Sequence, residues 1–326
     1  MSKKGEIKLK KVLAGLPNYS KYCSKAKAYL QDNGIEVVEN ETGAPLSKEQ
    51  LKQMIKDVDA AIAGVEVYDA EIMDAAPKLK VISRCGVGVD NFDLEEAKKR
   101  GIICTNCPGI NSTSVAEHTV MLMLNLLREC PQLNQETKEG NWRRLMVTEL
   151  SGKTVGLLGF GAVARKTAKI LKGFSCRILA YDKFPNEEIA REIGVEMMGL
   201  EEVVKQSDII SVHVPAMDET YHFVNKDMLA LCKDGVYLIN TSRGTNVDEK
   251  AVYDTLESGK LGGFGTDVFE TEPVTKDYPL FKFKNYICTP HTAAESYENY
   301  AETGMRTAKA ILDVLNGGTE PWNKLV

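Results

Sequence analysis

Short runs of β-branched and apolar residues alternate along most of this chain with stretches of helical length, and this alternation constrains the fold more than any other feature. Strands that are joined through helices return in the same direction, so the pattern is that of βαβ units around a parallel sheet. In the first half, residues 12–16, 35–38, 60–63, 79–83 and 102–105 read as strands, with helices at 20–32, 48–56 and 94–99. The usual right-handed connections would set these strands in a flavodoxin-like order. A second series follows, with strands at 153–158, 177–181, 209–214, 236–240, 263–266 and 286–289 and helices at 162–172, 200–204, 226–231 and 249–257. Residues 296–316 close the chain with apolar side chains at helical spacing, and Gly317 is placed to cap that helix.

The two series meet after Pro108-Gly109. Ser114-Val-Ala-Glu117 has the form of a capping box, opening a helix that runs to about Arg128. That helix is apolar on nearly every face, which predicts burial on all sides at a domain junction or a subunit interface. Residues 132–144 then read as a polar stretch.

Charge and composition remove several classes of function. The formal net charge is −5, so nothing electrostatic recommends nucleic acid or an anionic membrane as partner. Lys3, Lys4, Lys8, Lys10 and Lys11 cluster at the start and read as a solvated flank to the first strand. The apolar run 12–16 is too short for a signal core, and the run 120–127 is interrupted by Asn125 and too short to span a bilayer. A cytoplasmic protein without membrane contact is expected. Of the eight cysteines only Cys104 and Cys107 show a close spacing, no second pair follows, and no His, Cys, Asp or Glu cluster has ligand spacing. Reduced thiols and no metal are therefore expected.

The sharpest local motif is Gly159-Phe-Gly161-Ala-Val-Ala164, which ends a strand and opens a helix. Gly159 permits the tight turn, Gly161 lets backbone approach a pyrophosphate, and Ala164 is small where helix meets strand. The helix N-terminus presents N–H groups and the positive dipole end to phosphates. Asp182 ends the next strand, where a carboxylate bonds the ribose hydroxyls of NAD and repels the extra phosphate of NADP. Lys183 beside it works against that choice. The fold expected is then α/β with two doubly wound parallel-sheet domains. A Rossmann NAD-binding domain, residues 110–294, is inserted into a flavodoxin-like substrate domain of residues 1–109 and 295–326.

Three further stretches lie just beyond strand C-termini, where doubly wound sheets keep their chemistry. They are Asn240-Thr-Ser-Arg243-Gly, Asp267-Val-Phe-Glu-Thr-Glu272-Pro and Thr289-Pro-His291. Hydride transfer to a 2-oxo acid needs such residues. Arginine holds a carboxylate and polarises a ketone, histidine donates a proton near neutrality, and a carboxylate fixes the histidine tautomer.

Together with Ser83-Arg-Cys-Gly-Val-Gly-Val-Asp-Asn91, His213-Val-Pro and Asp267-Val-Phe, these motifs make the chain resemble the D-isomer-specific 2-hydroxyacid dehydrogenase family, and within it the D-3-phosphoglycerate dehydrogenase branch. The match is dense over residues 79–291. The resemblance implies that Arg243 binds substrate carboxylate and carbonyl, that His291 is the acid/base and that Glu272 is its partner. It implies that Val87 and Gly88 donate backbone N–H groups to the carboxylate. Ala162 and Val163 would meet the pyrophosphate, and Val214, Pro215 and Thr241 would line the dinucleotide, with Asp267 at the nicotinamide amide. A homodimer through residues 111–150 is also implied. Arg84 stands where the phosphoglycerate branch keeps a phosphate-binding arginine, and Arg143-Arg144 where a neighbouring subunit contributes another.

The departures carry weight as well. His291-Thr-Ala293 replaces the branch's His-x-Gly, Ala162 stands where an arginine is common, and Ala63 where a further one is usual. These imply that phosphohydroxypyruvate is accepted with only a modest advantage over hydroxypyruvate or glyoxylate. Without the C-terminal regulatory domain of some relatives, feedback through such a domain is not expected. His213 and His118 read as structural, His222 as a loop residue and Cys85 as packing. The alternatives are a glyoxylate or hydroxypyruvate reductase and a non-catalytic NAD sensor that binds partners. Formate oxidation is disfavoured by Glu272, where that branch has glutamine.

Overall fold

The computed structural model describes residues 9–326, so Lys3, Lys4 and Lys8 lie outside the described residues. Two compact units divide the chain. One comprises the residues up to Asn111 together with Glu295–Val326, and the other is Ser112–Ala294.

The first unit holds β1 (Lys10–Pro17), β2 (Ile35–Asn40), β3 (Ala60–Ala63), β4 (Val81–Arg84) and β5 (Ile103–Thr105). All pair in parallel in the order β2-β1-β3-β4-β5, the flavodoxin-like order expected. Alternate residues serve opposite faces. Val12, Ala14, Ala60, Ile62 and Val81 pack with Ala308, Ile311 and Leu315 of the helix Tyr297–Leu315. Leu13, Ala61, Ala63, Ile82 and Cys104 join the cluster on the other side. Burial on both faces is why these strands read as unbroken apolar runs. The stretch 20–32 is two helices, Tyr19–Tyr22 and Ser24–Asp32, separated at Cys23. Helix Lys48–Met54 passes into a 3₁₀ turn, Ile55–Asp57.

The second unit holds β6 (Thr154–Leu158), β7 (Arg177–Tyr181), β8 (Glu196–Met197), β9 (Ile209–Val212), β10 (Val236–Asn240), β11 (Leu261–Thr266) and β12 (Tyr286–Cys288). Their order is β12-β11-β10-β9-β6-β7-β8, wound outward in both directions from the β6–β9 pair, as in a Rossmann sheet. Every pairing is parallel. All seven C-termini therefore fall on one edge, and the motif loops are collected there.

The helix Ser112–Arg128 corrects one expectation. It begins two residues before Ser114, which lies inside its first turn, so the capping-box reading fails. Within the single chain it also leaves one stripe uncovered. Val115, Leu122, Met123 and Leu126 face inward, while Glu117, Met121 and Arg128 form an exposed stripe. Leu126 lies close over β11 because that strand carries glycines. A Cβ on Gly263 or Gly265 would stand 3.1 or 3.2 Å from its methyl carbons. The stretch read as polar contains a helix, Cys130–Lys138, and residues 141–150 follow without regular structure.

Among the described residues no helix is long and apolar enough to cross a membrane. All eight cysteines are free, Cys104 and Cys107 being buried. No group of three or more His, Cys, Asp or Glu among the described residues could hold a metal ion.

Candidate active site

The turn after β6 explains its glycines differently. Gly159 has φ +95°, and a Cβ there would stand 2.8 Å from the His213 carbonyl carbon. Conformation and close approach both demand glycine. Gly161 is the N-cap of the eleven-residue helix Ala162–Lys172 and makes no side-chain capping bond. A Cβ on it would meet nothing within 4 Å. Open space thus lies against an uncapped helix N-terminus whose first residues are Ala162 and Val163, the arrangement a pyrophosphate fits.

Asp182 follows β7 and is bonded to backbone on both sides. Its Oδ2 accepts the Phe160 N–H at 2.6 Å, and its Oδ1 accepts the Phe184 N–H at 2.8 Å. The carboxylate ties the glycine turn to its own loop and keeps lone pairs for ligand hydroxyls. Lys183 pairs with Glu219, which matches its charge there.

The neighbouring loops are fixed through their own polar groups. The Val214 carbonyl accepts from Asn246 Nδ2 at 2.9 Å, and the Pro215 carbonyl from Thr220 Oγ1 at 2.6 Å. Thr241 Oγ1 bonds Thr119 Oγ1 at 2.8 Å. His213 Nε2 meets Ser211 Oγ at 2.9 Å, and burial pushes its imidazole down to about 4, consistent with a structural histidine.

Beyond β10, buried Asn240 shapes the turn that carries Arg243. Its Nδ2 donates to the Arg243 carbonyl at 2.8 Å and its Oδ1 accepts the Ser242 N–H at 3.0 Å. The next residue, Gly244, touches the loop after β11 so closely that a Cβ would fall 1.9 Å from the Phe269 carbonyl carbon. In that loop Glu272 Oε1 accepts the Phe269 N–H at 3.0 Å, and Oε2 lies 2.8 Å from His291 Nδ1. Burial raises the Glu272 pKa, but the bonds from His291 and Phe269 and the charges of His291 and Arg243 outweigh it and hold the carboxyl below its ordinary value. With Nδ1 facing Glu272, Nε2 is the imidazole nitrogen left for a substrate.

A clamp that no sequence motif announced holds His291. The residue has φ +53°, a costly conformation for a non-glycine residue, and its N–H donates to the Asp267 carbonyl at 2.8 Å. The Asp267 carboxylate, buried, accepts Thr289 Oγ1 at 2.5 Å, the Thr292 N–H at 2.8 Å and the Ala293 N–H at 2.7 Å. His118 Nε2 lies 2.8 Å from Thr289 Oγ1. Since the threonine proton goes to the carboxylate, His118 donates to the hydroxyl oxygen. Burial, opposed by the Asp267 charge, lowers the His118 pKa and favours the neutral ring.

Arg84, Val87 and Gly88 belong to the first unit. Arg84 Nε donates to the Gly88 carbonyl at 3.1 Å and Nη1 to the Ala63 carbonyl at 3.3 Å. The Val87 carbonyl accepts from Asn106 Nδ2 at 2.6 Å. Arg84 thus ties the 86–88 loop to the end of β3.

An edge with an uncapped helix N-terminus, a carboxylate after the neighbouring strand and a carboxylate-paired imidazole has the chemistry that a dinucleotide-dependent oxidoreductase needs. Residues 120–293 match the NAD binding domain of the D-isomer specific 2-hydroxyacid dehydrogenases. The chain is 41% identical over 292 residues to a D-3-phosphoglycerate dehydrogenase of Archaeoglobus fulgidus, covering 89% of this chain and 55% of that one. It is 36% identical over 285 residues to a glyoxylate reductase of Korarchaeum cryptofilum, covering 85% and 86%. The apo structure of D-lactate dehydrogenase from Escherichia coli superimposes with a TM-score of 0.85 at 28% identity, over 98% of this chain and all of that one. This chain belongs to the D-isomer specific 2-hydroxyacid dehydrogenase family. It spans about half the length of the D-3-phosphoglycerate dehydrogenases it matches.

Proposed function

We propose that this protein is an NAD-dependent D-2-hydroxyacid dehydrogenase that interconverts a small 2-oxo acid and its D-2-hydroxy acid. The observation that carries the reading is the 2.8 Å contact of His291 Nδ1 with Glu272, on the same sheet edge as Arg243 and the glycine turn. Bound NADH supplies the hydride to the carbonyl carbon. Arg243 holds the substrate carboxylate and polarises the carbonyl oxygen. His291 Nε2 delivers the proton to the developing alkoxide, and the Glu272 carboxylate stabilises the imidazolium from which it comes. In the oxidative direction the same nitrogen takes the proton back.

Ala162 and Val163 hold the pyrophosphate, Asp182 the adenosine ribose, and Val214, Pro215 and Thr241 the walls of the dinucleotide site. Asp267, assigned to the nicotinamide amide by family resemblance, acts here through the loop it clamps. The unit Ser112–Ala294 is the NAD-binding domain, and the other unit reads the substrate. The protein works in the cytoplasm as a homodimer, its second copy covering the Met121 stripe and the exposed side chains of Trp142 and Met146. Sedimentation equilibrium showing a monomer at micromolar concentration would remove the dimer.

The activity is tested by following NADH absorbance, at about 340 nm, with a panel of 2-oxo acids. Wild-type protein should turn over at least one of them. His291→Ala should lower kcat by roughly a hundredfold or more while NADH binding, read by fluorescence titration, stays near wild type. Binding of NADH without turnover by the wild type would favour the non-catalytic sensor.

A further inference from the structure

The first unit carries a buried carboxylate for which the proposed reaction has no use. Glu66, 5% exposed, sits in the turn after β3. Its Oε2 accepts the Gly64 N–H at 2.8 Å, whereas its Oε1 has no hydrogen-bond partner among the described residues. No Lys or Arg among the described residues forms an ion pair with it. Two glycines make room for the group. A Cβ on Gly64 would stand 2.9 Å from Oε2, and one on Gly15 of β1 would stand 3.3 Å from it. Neither glycine has positive φ, so space rather than conformation accounts for both. The carboxylate therefore lies over the C-terminal ends of β1 and β3, the pair at which the sheet order reverses, where open α/β sheets meet their ligands.

This turn is bonded to the loop that offers the Val87 and Gly88 N–H groups. Asn91 Nδ2 donates to the Gly64 and Glu66 carbonyls at 3.3 and 2.6 Å. Arg84 reaches Ala63 on one side and Gly88 on the other. Arg84 and Glu66 thus stand on the two turns that these bonds join. The Tyr68 hydroxyl, two residues beyond Glu66, is also buried without a partner.

We infer that Glu66 determines substrate specificity, making this protein select short 2-oxo acids with an uncharged tail and reject those whose tail is a phosphate monoester. The inference rests on the proposed dehydrogenase activity and names its substrate class. A phosphate monoester brings close to two negative charges, and Glu66 meets it with an acidic side chain where a cation would be needed. Arg84 can offset only one such charge. The modest phosphate preference implied by family resemblance is reversed.

Steady-state kcat/KM with NADH for glyoxylate, hydroxypyruvate and phosphohydroxypyruvate tests this on the full chain, with Glu66→Gln and Glu66→Asp beside the wild type. Wild type should favour hydroxypyruvate over its phosphate ester by roughly a hundredfold, the scale of a like-charge juxtaposition. Glu66→Gln should narrow that ratio by about tenfold or more, and Glu66→Asp, which keeps the charge, should largely retain it. A wild type that turns over glyoxylate yet prefers the phosphate ester, or a ratio unmoved in Glu66→Gln, overturns the inference and leaves the activity standing. Failure of the wild type on every acid overturns the activity and the inference with it. Should Glu66→Gln fold poorly by circular dichroism, the wild-type ratio and Glu66→Asp still decide.

Discussion

Asp267→Asn tests whether the clamp beneath His291 is structural or a cofactor contact. The wild-type carboxylate accepts three hydrogen bonds, two of them from the backbone N–H groups of Thr292 and Ala293. An asparagine keeps one oxygen. In either orientation of its amide, an NH₂ group faces at least one of those N–H donors, leaving it buried and unsatisfied. Loss of a charge-assisted bond at a buried site costs about 3 kcal/mol. For a unit of this size that is a fall in melting temperature of roughly 6–12 °C. The left-handed backbone of His291 depends on the same loop, so kcat should fall at least about tenfold, because a displacement near 1 Å is enough to spoil proton transfer. Differential scanning fluorimetry and steady-state kinetics on the same preparation read both quantities. A melting temperature within about 2 °C of wild type, combined with weakened NADH binding, would refute the clamp and restore Asp267 to the nicotinamide.

Two further outcomes are expected. Asp182→Ala should weaken NADH and shift the NADPH-to-NADH preference by about tenfold or more towards NADPH, as a ribose acceptor and a repelling charge are both lost. Wild-type protein that prefers NADPH in competition would contradict the assignment. Glu272 is held below its ordinary pKa in the folded chain, so its contribution to stability is present above the unfolded carboxyl pKa and is lost as the folded group becomes protonated. The melting-temperature gap between wild type and Glu272→Gln should therefore shrink as pH falls from about 6 to about 3. A gap that widens over that range would reverse the sign.

The strands other than the two-residue β8 were legible because parallel sheets bury both faces. Runs such as Val155–Leu158 and Ile209–Val212 have no solvent side to dilute them. The glycine turn was legible because its spacing is local and Gly159 answers a demand of backbone conformation. What escaped the sequence depends on distant partners or on weak local signals. The Asp267 clamp gathers residues 118, 267, 289, 292 and 293, which no spacing rule connects. The bond from Phe160 to Asp182 spans two loops. Helix Cys130–Lys138 has no buried residue and so lacks an apolar stripe to betray it. Ser114 and Glu117 had capping-box chemistry, yet the helix had already begun at Ser112, which is buried. Short helices such as Ala70–Asp74 and Glu187–Ile193 were likewise missed, each offering barely one or two turns of pattern.

The contact between Gly244 and Phe269 has a consequence for how such a protein can diversify. No side chain larger than hydrogen fits at Gly244, and the neighbouring loop cannot retreat without carrying Glu272 with it. The loops carrying Arg243 and Glu272 are consequently held to one another, so a substitution at Gly244 should abolish the proposed turnover and not change its substrate. If the proposed activity holds, variation in the acid is to be sought in the other unit, where Val65 and Val67 on either side of Glu66 are exposed. A random-mutagenesis library selected for altered substrate range should therefore concentrate its survivors there.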